Sequence, residues 1–275
     1  MADLLERLGR PAGSRLLIVS CVGLGVSHAA NQGVLTALRL GVGTSASLAM
    51  PCPWAHSAAN QLQHDDVGIE LTLNAEYPSY RWAPITQAPS LLDGEGGFPR
   101  TVEDLWDHAD VEEVHRECRA QIVRAMHWGI EVTHLGSHLD ALALRPEFFD
   151  VYLELAQEFT LPIRLPSPLA ESRAGFPLRS LADEANVLHA DVLIVVRSAE
   201  ALRDALEEAA PGVTEVVLRP AKDSAELRAY APDWPTRCGD ATIAAGDAAL
   251  RDVIQSFEHI GYRTLRDAQR SLPST

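Results

Sequence analysis

Short apolar runs rich in β-branched residues alternate along the chain with longer stretches of helical periodicity. Runs such as RLLIVS and DVLIVV have few polar positions, which is typical of parallel strands that helices cover on both faces. The predicted strands are Arg15–Ser20, Thr44–Met50, Val67–Leu73, Ile130–His134, Pro162–Leu165, Asp191–Val196 and Thr214–Leu218. The predicted helices are His28–Leu40, His56–Gln63, Val102–Trp128, Pro146–Glu158, Ala199–Ala209 and Ala245–His259. The alternation predicts an α/β fold, either a barrel or a doubly wound sheet.

Two irregular segments interrupt this pattern. The longer one, Asn74–Thr101, is rich in Pro, Gly and aromatic residues, and a loop of that length usually serves as a lid or a substrate wall. The second, Pro166–Phe176, follows the fifth predicted strand. Since no linker or internal repeat divides the chain, we expect residues 1–275 to form a single domain.

Charge and composition narrow the partners. The formal net charge of −15, without a concentrated basic patch, disfavours nucleic acid and anionic membranes. No apolar run reaches the roughly 18 residues of a membrane span, and the four cysteines are scattered, as is typical of a reducing compartment. We therefore expect a cytoplasmic protein that binds a small-molecule substrate, with homo-oligomerisation left open.

Four segments in order between Leu16 and Asp240 are similar to motifs of one known family. LLIVSCVGLGVSHAANQGVLTAL resembles an opening "IVNADDFGLS…N.AI", VGIELTLN resembles "GLHLNL", VTHLGSHLDAL resembles "THxDSHxH", and TEVVLRPA resembles a strand ending in His-Pro. These motifs belong to the YdjC/ChbG family of carbohydrate deacetylases. The resemblance implies a (β/α) TIM-like barrel, incomplete or seven-stranded, with its site at the carboxyl ends of the strands.

The departures from that family fall on its chemical groups. Val22 and Gly23 stand where the family has an Asp-Asp pair, which supplies a base and a metal ligand. Glu70 replaces a metal-binding histidine, Gly136 replaces an aspartate, and Arg219 replaces the histidine of His-Pro. Metal-dependent deacetylation needs an activated water, a Lewis acid and a proton donor. The resemblance therefore implies a scaffold on which the family's usual mechanism cannot run unchanged.

The candidate catalytic residues are Glu70, His134, His138 and Arg219. The two histidines, four residues apart, could form a metal pair, an acid/base pair or only structural hydrogen bonds. Glu70 lies inside an apolar run, where a carboxylate is rarely unpaired. It could complete a His₂Glu zinc site, act as a base with a raised pKa, or form a salt bridge to Arg219.

A second set of residues is expected to bind substrate. Asp140 could orient His138, Arg164 ends a predicted strand, and aromatic side chains of the long loop could form an apolar wall. The predicted substrate-binding residues are Ser20, Asn74, Tyr77, Trp82, Asp140 and Arg164. We expect Ser20, Glu70, His134, Arg164 and Arg219 at one end of the barrel. No cofactor is expected; zinc or magnesium enters only if Glu70, His134 and His138 form a metal site.

Three functions follow from these residues. The favoured one is an enzyme that catalyses a metal-independent isomerisation, cyclisation or elimination of a small molecule, as in specialised metabolism. The second is a metal-dependent N-deacetylase or amide hydrolase with a rearranged site of Glu70, His134 and His138. The third is a non-catalytic binder or pseudoenzyme. Metal content and turnover distinguish the three.

Overall fold

A curled parallel sheet, which forms a half-barrel, is the centre of the protein. The structure, a computed structural model, describes residues 4–40, 42–195, 198–247 and 250–271. The strands are β1 (Arg15–Leu24), β2 (Ser45–Leu48), β3 (Val67–Leu71), β4 (Val132–Ser137), β5 (Val192–Ile194), β6 (Gly212–Leu218) and β7 (Glu258–His259). Their order is β4-β3-β2-β1-β6-β5, and β7 pairs with β1. The predicted α/β fold with an incomplete TIM-like barrel is confirmed.

Helices connect the strands and cover the outside of the sheet. They are α1 (Leu4–Arg7), α2 (His28–Leu40), α3 (Ala55–Ala59), α4 (Val102–His108), α5 (Val111–His127), α6 (Pro146–Phe159), α7 (Pro168–Ala174), α8 (Leu178–Glu184), α9 (Ala199–Glu207), α10 (Ala225–Tyr230), α11 (Trp234–Ala244), α12 (Arg251–Gln255) and α13 (Tyr262–Ser271). Two 3-10 turns lie at Pro89–Leu91 and His138–Asp140. In the described part of the chain, no helix is long and apolar enough to cross a membrane.

Local chemistry explains the best-predicted elements. Helix α2 has the predicted bounds because the Ser27 hydroxyl accepts a hydrogen bond from the Ala30 amide and caps its first turn (3.1 Å). All residues of β1 except Arg15 are apolar or small, and the run Leu16–Val22 is buried. In register, Ser20 of β1 lies between Ser45 of β2 and Val217 of β6.

Two predicted elements are shorter or divided. The predicted strand Pro162–Leu165 is reduced to one bridge between Ile163 and Leu135, because a proline cannot donate to a ladder. The predicted helix over 102–128 is two helices, since Asp110 accepts a hydrogen bond from the Glu113 amide and begins α5.

The remaining differences concern short elements. The segment over 166–176, predicted to be irregular, contains α7, which the Ser167 side chain caps. The predicted helix over 245–259 is only α12 followed by β7; its residues 248–249 lie outside the described residues. Val196, the last residue of the sixth predicted strand, also lies outside them.

Candidate functional site

A cavity of about 320 Å³ lies at the carboxyl ends of the strands, the end that carries the active site in barrels of this kind. Gly23 and Val22 of β1 form part of its wall, and Glu70 of β3 is on its floor. Further residues of its lining are Glu76, Tyr77, His138, Leu139, Asp140, Arg164, Val195, Arg219, Arg237 and Asp240. The volume lies within the range of small-molecule sites, about 300–1,000 Å³.

An ion pair between the long loop and the end of β4 forms one side of the cavity. The Nε2 atom of His138 lies 3.0 Å from Oε2 of Glu76. Burial by itself lowers the pKa of His138, but the charge and the hydrogen bond of Glu76 outweigh this effect and raise the pKa above its ordinary value. Burial likewise raises the pKa of Glu76, and His138 reverses the shift, to about 2. Glu76 therefore favours the protonated form of this histidine.

Asp140 stands beside this pair on a strained turn. Leu139 and Asp140 have φ values of 54° and 55°, a left-handed conformation that non-glycine residues adopt at an energetic cost. Burial raises the pKa of Asp140 to about 6, Glu70 adds to the shift, and Arg164 and His138 oppose it. The turn therefore presents a carboxylate that accepts a proton more readily than an exposed aspartate.

Glu70 is paired with Arg164, and the predicted salt bridge to Arg219 is wrong. The Nη2 atom of Arg164 lies 2.5 Å from both carboxylate oxygens of Glu70, and both side chains are buried. Arg219 lies at the rim, where Nη1 is 3.1 Å from a carboxylate oxygen of Asp233. The segment of Arg164 lies beside β4, and the side chain of Arg164 reaches Glu70 of β3 across Gly136, the β4 residue that pairs with Glu70.

Arg219 and Arg237 form a cationic rim of the same cavity. Arg237 of α11 donates from Nε to Asp233 (3.0 Å) and from Nη2 to the hydroxyl of Tyr77. The backbone amide of Arg219 donates to the side chain of Asp240 (2.8 Å). Asp233 therefore holds both arginines of the rim in place.

The other predicted site residues lie outside the cavity lining. Ser20 donates to Glu215 inside the barrel (2.6 Å). His134 lies within hydrogen-bonding distance of the Ser47 hydroxyl (2.9 Å). Asn74 and Trp82 hold the long loop together, since the indole N–H donates to the Asn74 carbonyl (2.8 Å). Thus Glu70, Arg164 and Arg219 share one end of the barrel, and Ser20 and His134 lie deeper.

Sequence reasoning missed Glu76, Arg237 and Asp233. Glu76 had a usable signal, because it directly precedes Tyr77 in the loop that was predicted to cover the site. Arg237 belongs to α11, a helix that was not predicted, and Asp233 is its N-cap residue, so no pattern placed them near the strand ends.

The side chains at the cavity do not fit the metal that the resemblance implies. In the described ranges, no three His, Cys, Asp or Glu side chains converge as a set of metal ligands. The rearranged site of Glu70, His134 and His138 is not assembled, since His134 faces Ser47 and Glu70 is held by Arg164. The potential donor His138 is already engaged with Glu76.

The profile of the family described as YdjC-like protein matches residues 16–255, and the chain belongs to this family. A protein of Thermus thermophilus named carbohydrate deacetylase is 36% identical over 276 residues, which cover 97% of this chain and 99% of that protein. A carbohydrate deacetylase of Brevibacillus brevis is 36% identical over 152 residues, 54% of this chain and 59% of that protein. A solved structure, a putative cellobiose-phosphate cleavage protein from Enterococcus faecalis V583, has a TM-score of 0.78 at 22% identity, covering 92% of this chain and 99% of that one. That likeness shows the fold.

These relatives overturn the favoured functional prediction. The prediction of a metal-independent isomerase, cyclase or eliminating enzyme of specialised metabolism is wrong, and so is the alternative of a non-catalytic binder or pseudoenzyme. Both of these relatives, from Thermus thermophilus and Brevibacillus brevis, are named carbohydrate deacetylases, and the first is aligned along nearly the whole chain. The coarser expectation of an enzyme is supported by the same relatives. The substitution of the carboxylate pair by Val22 and Gly23 therefore does not by itself indicate a change of reaction.

Proposed function

We propose that the protein is a carbohydrate deacetylase that hydrolyses an acetamido group of a sugar bound in the cavity. One observation carries the proposal. A carboxylate with a raised pKa, Asp140, lies in the same cavity as His138, whose protonated form Glu76 favours through a direct contact of 3.0 Å. A base and an acid with opposite protonation states near neutral pH are what amide hydrolysis requires.

Asp140 acts as the general base in this reaction. Its carboxylate takes a proton from water, and the water oxygen forms a bond to the acetyl carbonyl carbon. The electron pair of the carbonyl double bond moves to the acyl oxygen. The left-handed backbone turn at Leu139 and Asp140 places this carboxylate at the cavity.

His138 acts as the general acid. As the carbon–nitrogen bond breaks, the amine nitrogen of the sugar takes the proton of His138, and acetate and the free amino sugar leave. A protonated imidazole has two donors, and Glu76 accepts one of them. Glu76 thus orients the imidazole ring and favours its protonated form.

The proposal uses the side chains of the chain and no resident metal. The side chains that could bind a metal are engaged elsewhere, because Glu70 pairs with Arg164 and Glu76 pairs with His138. Among the described residues, no group of three potential metal ligands is present. We also propose a cytoplasmic location, because the four cysteines are unpaired.

Acetate release from N-acetylated hexosamine mono- and disaccharides tests the proposal. Asp140→Asn and His138→Gln should each lower kcat by about 10²–10⁴-fold, the usual contribution of a positioned acid or base. Asp107→Asn and His127→Gln change exposed residues of helices α4 and α5 and should leave kcat unchanged. Wild-type protein that releases no acetate from any acetylated sugar would overturn the proposal.

A further inference from the structure

Arg164 is anchored at the head of β4 by its own backbone. Its amide donates to the Leu135 carbonyl of β4 (2.8 Å). The hydroxyl of Tyr152, on α6, lies 2.7 Å from that same carbonyl oxygen and 3.1 Å from the Arg164 carbonyl oxygen. Tyr152 is fully buried. The side chain of Arg164 therefore starts from a fixed point at the cavity floor.

The guanidinium is then held from two sides. Nη2 lies 2.5 Å from each carboxylate oxygen of Glu70, and Nη1 donates to the Ser47 hydroxyl (3.2 Å). A guanidinium has five N–H donors, so these contacts leave hydrogens on Nη1 and Nε for a ligand. The side chain lines the cavity although it is only 7% exposed. It is a fixed, largely desolvated cation with donors to spare.

The space for this cation depends on a glycine. A Cβ atom at position 136 would lie 2.5 Å from Nη2 of Arg164 and 2.6 Å from Oε2 of Glu70. Any other residue at the end of β4 would displace the pair. The arginines of the rim differ, because Arg219 is about one third exposed and shares Asp233 with Arg237. Arg164 is thus the cation that the strands themselves build into the floor.

We propose that Arg164 is a catalytic residue that stabilises the negative charge on the acyl oxygen, an inference that rests on the deacetylation proposed above. When water adds to the carbonyl carbon, the displaced electron pair on oxygen accepts hydrogen bonds from Arg164. When the carbon–nitrogen bond breaks, that pair re-forms the carbonyl bond. Arg164 stays protonated throughout, and Glu70 and Ser47 hold it in place, so a protein cation supplies the electrophilic assistance.

The test measures turnover and product binding separately. Arg164→Lys keeps the charge but loses the planar fork, and the double variant Arg164→Gln/Glu70→Gln leaves no buried charge behind. Arg266→Lys is the matched control, since Arg266 is a buried arginine that pairs with Glu131 away from the cavity. For each protein, kcat and KM for acetate release and the affinity for acetate, by calorimetry, are determined before and after dialysis against a chelator.

We expect kcat to fall on the order of 10²–10³-fold in both Arg164 variants, as for loss of a preorganised donor to the oxyanion. KM should change less than threefold, acetate affinity should fall about tenfold, and the chelator and Arg266→Lys should change nothing. Unchanged kcat in the Arg164 variants, with acetate released by the wild type, overturns this inference alone. Activity that the chelator abolishes and a divalent ion restores also overturns it. A wild type without turnover overturns the proposed deacetylation and with it the catalytic role of Arg164. Acetate affinity that still falls in the Arg164 variants would then show an anion site that does not serve deacetylation.

Discussion

Three titratable residues at the cavity, Glu76, His138 and Asp140, have shifted pKa values. Glu76 raises the pKa of His138, and His138 in turn lowers the pKa of Glu76 to about 2. Burial raises the pKa of Asp140 to about 6, and Arg164 and His138 only partly oppose this shift. Acid and base roles are thus assigned by environment, because the residue types alone do not decide which group carries the proton.

The pH dependence of kcat/KM should show two limbs. The value should rise as the pH passes about 6, where Asp140 loses its proton. It should fall again above the ordinary histidine pKa of about 6.5, when His138 loses its raised-pKa proton. Glu76→Gln removes the charge that stabilises protonated His138, so the alkaline limb should move to lower pH. An alkaline limb at the same pH in Glu76→Gln would show that another group donates the proton.

The Glu70–Arg164 pair should contribute strongly to stability. Both side chains are more than nine-tenths buried, and removing one partner of a buried pair typically costs about 3–5 kcal/mol. Glu70→Leu should therefore lower the free energy of unfolding by about that amount, and Glu70→Gln by less, because the amide oxygen still accepts from the guanidinium. Urea unfolding measures both.

A control and a second variant isolate the pair. Glu158→Leu removes an exposed carboxylate that pairs with the exposed Arg119, and a surface pair should cost less than about 1 kcal/mol. In Glu70→Leu/Arg164→Met, part of the loss should be recovered, since no charge stays unpaired. Additive losses in the double variant would contradict the pairing.

At the scale of single residues, the sequence indicated which residues carry chemistry but not which of them meet. Glu70 is conspicuous in the run VGIELTL, and its need for a partner was predicted correctly. The choice of Arg219 failed because the segment of Arg164 is joined to β4 by a single bridge, between Ile163 and Leu135. A bridge of one residue has no periodic pattern to recognise.

Among the elements, β4 is the one that organises the cavity. It ends at Ser137, just before the turn that carries Leu139 and Asp140. Gly136, the residue before its last, leaves room for the Glu70–Arg164 pair. The long loop over 74–101 brings Glu76 to the same point, as the loop's predicted role as a wall implies. Prediction was good for apolar strands and poor for short helices, because a seven-residue helix such as α7 has too few turns for a clear period.

Gly136→Ala should disturb the end of β4 in a measurable way. The added Cβ meets Arg164 and Glu70 at 2.5 Å and 2.6 Å, and overpacking of this kind typically costs about 1–3 kcal/mol. We expect the free energy of unfolding to fall by that amount and kcat to fall with it. Gly94→Ala is the control, since nothing lies within 4 Å of its added Cβ. Equal stability of Gly136→Ala and wild type would mean that the pair does not occupy this space.

The whole molecule encloses a second polar cluster beneath the cavity. Glu215 of β6 accepts hydrogen bonds from Ser20 of β1 and from Tyr262 of α13 (2.6 Å each). The Tyr262 ring stacks on His134 of β4 at 4.0 Å between centroids. These residues are far apart in the sequence, and the curled sheet together with α13 brings them into contact. Ser20 and His134 were predicted to lie at the strand ends, but their contacts place them in the interior. The sequence does not show these contacts, because the partners are distant along the chain.

The ionisation of Glu215 should make the stability of the whole fold depend on pH. Burial raises the pKa of Glu215 and Glu70 adds to the shift, while Arg164, Ser20 and Tyr262 oppose it. A carboxyl group with a raised pKa stabilises the folded state below its ordinary pKa of about 4.3, and this stabilisation is lost as the pH rises through the raised value. The wild type should therefore lose stability relative to Glu215→Gln, which has no charge at any pH, as urea unfolding is repeated from about pH 4.5 to pH 8. Thr214→Val, a buried neutral neighbour on β6, should differ from wild type by the same amount at every pH. A wild type that gains on Glu215→Gln with rising pH would mean that the hydrogen bonds of Ser20 and Tyr262 outweigh burial and that the carboxylate is ionised in the folded interior.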